Sequence, residues 1–274
     1  FKKKCKHKLL IFNLIINLYK IMAVNWQEAQ IYEKKFWENI YIKGKKDDIY
    51  SKTGADGWKK FAYHVLSRHE LNSQFINNKV ILDLGSGPGG LAKGFHEMLK
   101  KNEIKNSKII AVDPLMDFYK KEIKILKEDE NLKLLTNKGE NLNLANNSVD
   151  IIFSTNVLDH CDDAVNLIKE AYRVLKPGGY FFPSLHLVYG YLSIIKNYIK
   201  YFDTNHPHHF SHNDVNKMLK AKFSETNLLK KFSIFHDQKN FSFKNIFFGT
   251  DKIRSCKRFL SNYILYTAYF VCKK

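Results

Sequence analysis

Apolar and polar residues fall into blocks along this chain, and the sharpest block is Val80-Ile81-Leu82-Asp83-Leu84, followed at once by Gly85-Ser86-Gly87-Pro88-Gly89-Gly90. The apolar, partly β-branched run predicts a buried central strand, and the glycines predict a tight turn leading into a helix over Leu91 to Leu99. Further runs predict strands at Lys108 to Val112, Lys133 to Thr136, Val149 to Ser154 and Tyr180 to Leu187. Helical spacing separates them. Asp117 to Glu128 reads as a helix with a charged face, and Ala164 to Leu175 as an amphipathic helix closed by Lys176-Pro177-Gly178-Gly179. Strand, helix and strand in that order predict right-handed parallel units. Pro183 inside the fifth run predicts an irregularity or an early strand end.

Two helical patterns precede this core. The first runs from Asn25, a candidate N-cap, to Tyr41, and the second passes through Trp58, Phe61, Ala62, Val65, Leu66 and Leu71, with the polar loop Lys43 to Asp48 between them. After the fifth strand, residues 188–210 read as an insertion above the sheet, aromatic and apolar up to Phe202 and then Asp203-Thr204-Asn205-His206-Pro207-His208-His209-Phe210. Ser211 and Asp214 form a capping-box-like start to a helix ending near Ala221. Strands are expected around Leu228 to Phe235 and at Tyr266 to Cys272, with Phe241 to Tyr263 as a connection containing a helix.

The turn after the first strand carries the first candidate chemistry. Gly85, Gly87 and Gly90 satisfy G-x-G-x-x-G, a pattern that would admit a dinucleotide with its diphosphate on the helix N-terminus. Asp83 argues otherwise. A carboxylate beside that loop repels a diphosphate and suits a cofactor with a cationic amino group and no phosphate, as S-adenosylmethionine is. Asp113, at the tip of the second strand, can accept the two hydrogen bonds of a ribose diol.

Asp83-Leu84-Gly85-Ser86-Gly87-Pro88-Gly89 resembles the [DE]-x-G-x-G-x-G motif of class I S-adenosylmethionine-dependent methyltransferases. Val149-Asp150-Ile151-Ile152-Phe153 and Glu170-Ala171-Tyr172-Arg173-Val174-Leu175-Lys176-Pro177-Gly178-Gly179 resemble the later motifs of its type 11 group, in order and at the usual separation. The resemblance spans about Lys79 to Phe182. It implies a Rossmann-like α/β three-layer sandwich, a mostly parallel seven-stranded sheet whose final strand is antiparallel. S-adenosylmethionine is the implied cofactor, held by Asp83, Gly85, Ser86, Gly87, Gly89, Asp113, Pro114, Gly139, Glu140 and Thr155. In the family the loop after the third strand often reads the adenine edge with an aspartate. Lys138 takes that position here, which shifts the expectation to the Gly139 backbone and to Glu140. The chain then divides into a leader over 1–21, accessory helices over 22–75, the S-adenosylmethionine-binding methyltransferase core over 76–187, and 188–274 as an insertion or lid with the C-terminal completion of the sheet.

Composition adjusts this picture in a few places. The 274 residues carry a formal charge of +18, yet only Arg68, Arg173, Arg254 and Arg258 are arginines against 41 lysines, so a solvated lysine surface explains the charge without a nucleic-acid partner. That surface also permits peripheral contact with anionic lipids. Residues 1–21, basic and then apolar, look like a signal peptide but have no small-x-small cleavage site. Met22 is a plausible start, and removing the six lysines before it takes the charge from +18 to +12. Cys5, Cys161, Cys256 and Cys272 lie far apart, so neither a zinc ribbon nor a disulfide framework is expected, and a reducing, cytoplasmic setting is the default. No metal site is expected either, because His206, His208 and His209 lack an accompanying Cys or acid at a recognised spacing.

The acceptor is the least marked partner. Ser154-Thr155-Asn156-Val157-Leu158-Asp159-His160 runs off the fourth strand, where donor and acceptor should meet, and His160 is the candidate general base, with His209 as the alternative. The chain contains neither Asn/Asp-Pro-Pro-Tyr/Phe nor a Pro-Cys nucleophile, which weighs against methylation of DNA bases. A hydroxyl or carboxyl on a small molecule or glycan precursor is favoured. The alternatives are an RNA methyltransferase using the basic surface and a non-catalytic S-adenosylmethionine-binding partner protein, and no motif sets an oligomeric state.

Overall fold

The apolar runs pair edge to edge in the computed structural model, which describes residues 25–42, 55–199, 206–233 and 264–274. Strands β1 (Val80–Leu84), β2 (Lys108–Asp113), β3 (Leu132–Thr136), β4 (Val149–Thr155) and β5 (Leu175–Val188) are parallel, in the order β3-β2-β1-β4-β5. Beyond β5 come β8 (Leu265–Lys273), antiparallel to its neighbours, and β7 (Glu225–Ser233) at the edge. The expected seven-stranded sheet with an antiparallel last strand is therefore present. One addition is β6, Phe210–Ser211, which pairs with Leu187 and Val188 of β5.

Burial explains the unbroken apolar strands. Ile81, Leu82 and Leu84 are fully buried because β1 lies between β2 and β4 with helices on both faces. One face packs Phe153 and Phe182 against Phe95 and Met98 of helix α3 (Gly90–Lys100), with Ala62, Val65 and Leu66 of helix α2 (Ala55–Arg68) in the same cluster; the other packs Leu167, Ile168 and Ala171 of helix α5 (Ala164–Val174). Helix α1 (Trp26–Trp37) starts at the expected Asn25 cap, which forms a full capping box with Glu28, and continues as a π-helical turn over Glu38–Ile42. The capping box at Ser211 and Asp214 likewise opens helix α7 (His212–Lys220). Arg173 of α5 donates to the carbonyls of Leu142 and Leu144 and pairs with Glu170, tying that helix to the loop before β4.

Two local expectations are corrected. The helix expected over Asp117 to Glu128 is short: α4 (Met116–Phe118) runs into a π-turn at Tyr119–Ile123, and Lys124 ends it in the left-handed region at φ 59°. The stretch after Lys124 is held by tertiary contacts instead, with Leu126 against the glycine loop and the Glu128 carboxylate accepting the Leu134 N–H. Pro183 does not end β5. The pairing with β8 skips Phe182 and Pro183, the expected irregularity, and resumes in the same register, Phe181↔Cys272 before the gap and Ser184↔Tyr269 after it. The insertion after Val188 continues as a 3₁₀ turn at Gly190–Ile195 and the short helix α6 (Lys196–Ile199). The expectations for residues 1–21, Lys43 to Asp48, Asp203-Thr204-Asn205 and Phe241 to Tyr263 lie outside the described residues. Among the described residues no helix is long and apolar enough to cross a membrane.

Candidate active site

The C-terminal ends of β1 to β5 open into a single cleft of about 1170 Å³, roofed by α1 and α2. Open parallel sheets bind ligands at this edge, where the strand order reverses beside the first strand. Pockets for drug-sized ligands are roughly 300–1,000 Å³, so the cleft has room for a cofactor with an acceptor beside it.

The glycine loop forms the floor. Gly85 and Ser86 donate their N–H groups to the Val112 carbonyl at 2.8 and 2.9 Å, which straps the loop onto β2. Gly87 donates its N–H to Asp113 Oδ2 at 2.9 Å, and Leu115 donates to Asp113 Oδ1 at 2.8 Å. Gly85 and Gly87 both have positive φ, at 69° and 54°. A side chain at Gly85 would collide with Val157, and a Cβ on Gly87 would stand 3.5 Å from the Trp37 ring, filling the gap between loop and roof.

Of the residues expected to bind the cofactor, Gly85, Ser86, Gly87, Asp113, Pro114, Gly139, Glu140 and Thr155 all line the cleft. Two do not. Asp83 lies beneath the loop, 3% exposed, with Oδ2 accepting the Ala92 N–H of α3. Gly89 is the left-handed N-cap of α3 and abuts Leu126, so its work is to turn the chain. Glu140 lines the wall, but its Oε1 accepts the N–H groups of Asp162 and Asp163 at the start of α5. Lys138 spans the mouth, its Nζ 3.7 Å from the Trp26 ring and 3.3 Å from Asp162.

The electrostatics of the floor are acidic. Burial pushes the Asp83 carboxyl up to about 7, with the Asp113 charge adding to the effect. Burial also pushes Asp113 up to about 7 against the two backbone N–H groups it accepts, and the Glu33 charge from α1 raises it further. Acids so placed, Asp113 and Glu33 on the cleft wall and Asp83 beneath the loop, disfavour a diphosphate and favour a cation. The loop with no Cβ at Gly85 or Gly87, the acid of Asp113 and the size of the cleft therefore fit S-adenosylmethionine.

The other end of the cleft holds histidines. His160 follows β4 on a turn closed by its own N–H to the Val157 carbonyl, and its ring meets that of His206 edge-on at 4.5 Å between centroids. His186, near the end of β5, lines the same space. Beneath them Asp159 is 2% exposed; burial pushes its carboxyl up, but the nearby His160, His206 and His186 outweigh this and hold it below the usual carboxylate range. His209 lies outside the cleft, in a depression of about 460 Å³ with Lys196 and Asp214. The sequence marked Trp26 and Trp37 only as apolar positions of the first helix, and His186 and Glu33 not at all. The position of His186 at the C-terminal end of a parallel strand was the one available signal.

Residues 82–182 match the methyltransferase domain family. An uncharacterized methyltransferase of Schizosaccharomyces pombe is 32% identical over 147 residues, 49% of this chain and 51% of that protein. The malonyl-[acyl-carrier protein] O-methyltransferase of a Marinomonas species is 31% identical over 126 residues, 46% of this chain and 44% of that protein. The chain thus spans about half the length of these relatives. Rickettsia proteins named for ribosomal RNA methylation and for ubiquinone/menaquinone C-methylation match at 28% and 30% identity. Among solved structures, the phosphoethanolamine N-methyltransferase 2 of Haemonchus contortus in complex with S-adenosyl-L-methionine superimposes at a TM-score of 0.54 and 18% identity, covering 78% of this chain and 52% of that one. Motif order, sheet topology and family match agree, and residues 82–182 form a class I S-adenosylmethionine-dependent methyltransferase domain.

Proposed function

We propose that this protein methylates an oxygen of a small-molecule or glycan-precursor acceptor. The observation that carries the reading is the single cleft with an acidic, glycine-floored end around Asp113 and a histidine-lined end around His160. S-adenosylmethionine supplies an already activated methyl group on its sulfonium sulfur. The chain's own task is then alignment, which can recover roughly 7 to 11 kcal/mol of a barrier.

Asp113 accepts the ribose hydroxyls, since each of its oxygens takes one backbone N–H and keeps a lone pair for the ligand. Gly85 and Gly87 let the backbone approach closely, and Glu33 on the cleft wall favours the cationic end. α1, held at the mouth by Trp26 over Lys138, excludes water from the roof side. At the far end His160 takes the proton of an acceptor hydroxyl as the oxygen attacks, with Asp159 buried beside it.

Incubating the protein with methyl-labelled S-adenosylmethionine and fractionated cell extract tests the reading. Label in a small-molecule or saccharide fraction, released as methanol from an ester or stable as an ether, supports it. Label in RNA replaces the acceptor with a polynucleotide, and cofactor binding with no transfer to any fraction leaves a binding protein in place of an enzyme.

A further inference from the structure

We propose that Asp159, His160 and His206 form a binding site for a divalent transition-metal ion at the acceptor end of the cleft. One ligand atom from each residue lies within 4.8 Å of the others. Two donors on one ion at 2.0–2.2 Å stand about 3.4 Å apart, so side-chain rotation of less than about 2 Å closes the set. Asp159 is 2% exposed, and neither of its carboxylate oxygens receives a hydrogen bond from another described residue. A buried carboxylate left this way is costly unless a cation meets it. His186 Nδ1, 3.8 Å from Asp159 Oδ2, is placed to orient that carboxylate.

The arrangement is built by the fold. Asp159 and His160 sit on the turn after β4. The His208 N–H reaches the Asp159 carbonyl at 3.3 Å, and Leu187 pairs with Phe210, so the His206 loop is fastened both to that turn and to the strand carrying His186. Two imidazoles and one carboxylate suit zinc, iron(II) or nickel rather than calcium or magnesium, which prefer all-oxygen sets. With His160 and His206 on the cleft wall and Asp159 behind them, the remaining coordination positions face the cleft and can take a hydroxyl or carboxylate oxygen. In the ion-bound form His160 is a ligand rather than the base. That role rests on the methyl-transfer reading; the ion site itself does not.

Metal-free full-length protein titrated with Co²⁺, read by its visible absorption bands, and with Zn²⁺, read by calorimetry, tests the site. One ion should bind per chain, with His206→Ala and Asp159→Asn each weakening it by about 100-fold, and with His209→Ala unchanged. The His206→Ala protein should bind S-adenosylmethionine as wild type does, which shows that it is folded. No Co²⁺ or Zn²⁺ binding by wild type, or equal binding by the His206→Ala protein, overturns the proposal. Ion binding by a protein that does not bind S-adenosylmethionine would remove the methyl-transfer reading and leave the ion site standing.

Discussion

Asp113 Oδ2 accepts the Gly87 N–H across 2.9 Å, so the tip of β2 fixes the middle of the glycine loop after β1. One side chain thereby shapes the loop and presents its remaining lone pairs to the cleft. Asp113→Ala should weaken S-adenosylmethionine binding by at least about 100-fold, since two hydrogen bonds to a charged acceptor are worth roughly 3 kcal/mol or more. Calorimetric affinities of wild type, Asp113→Ala and Asp113→Asn check this, with Asn intermediate because it keeps one acceptor. An Ala protein that binds like wild type would remove Asp113 from the site. Gly87→Arg should abolish binding outright, because the added side chain meets the Trp37 ring across the cleft.

The same carboxyls give the protein a pH signature. Asp83 and Asp113 sit at about 7 in the folded state against an ordinary 3.8, so between those values the folded protein holds more protons than the unfolded chain. Stability of the free protein should therefore fall as pH rises through that window. A cationic cofactor favours the ionised carboxyls, so the gain in Tm on adding it should grow from about pH 5.5 to about pH 7.5. Melting curves with and without S-adenosylmethionine across that range check the sign, and a gain that shrinks with pH would contradict it.

Much of this site was legible in the chain itself. The strand ends and glycine loop could be read because β1 is buried on both faces and so carries an unbroken apolar run, with Asp113 marking where β2 stops. Asp83 was readable as an acid near the loop, but not that the Ala92 N–H would claim it, since that contact depends on how α3 sits over β1. The histidine site was hidden for a different reason. Spacing within the His206 to His209 segment gives no metal pattern, and the acid that completes the cluster, Asp159, arrives from 47 residues away through the β5–β6 pairing. The charged stretch after Met116 failed as a helix because Leu126 and Glu128 have partners outside it.

His160→Ala should slow methyl transfer by about 100-fold, within the usual range for a positioned base, and leave S-adenosylmethionine affinity unchanged, since the residue lies at the acceptor end. Single-turnover rates beside calorimetry separate the two effects. Unchanged turnover would remove His160 from the chemistry.

Gly94 lies where α3 crosses α2, and a Cβ there would collide with the Trp58 carbonyl and the Ala62 side chain. Backbone cannot rotate aside as a side chain can, so Gly94→Ala should cost about 1–3 kcal/mol. For a protein of this size that lowers Tm by roughly 2–4 °C per kcal/mol. The displaced α2 also carries cleft residues Trp58 and Phe61, so cofactor affinity should fall with stability.

The central claim is that the cleft over the glycine loop is a methyl-donor site. Calorimetric titration of the wild-type protein with S-adenosylmethionine, run beside NAD⁺, tests it most directly. Saturable binding of one S-adenosylmethionine per chain with no heat from NAD⁺ is the predicted result. A protein shown to be folded by its cooperative melting that gives no heat with S-adenosylmethionine, or that binds NAD⁺ in its place, would contradict the account.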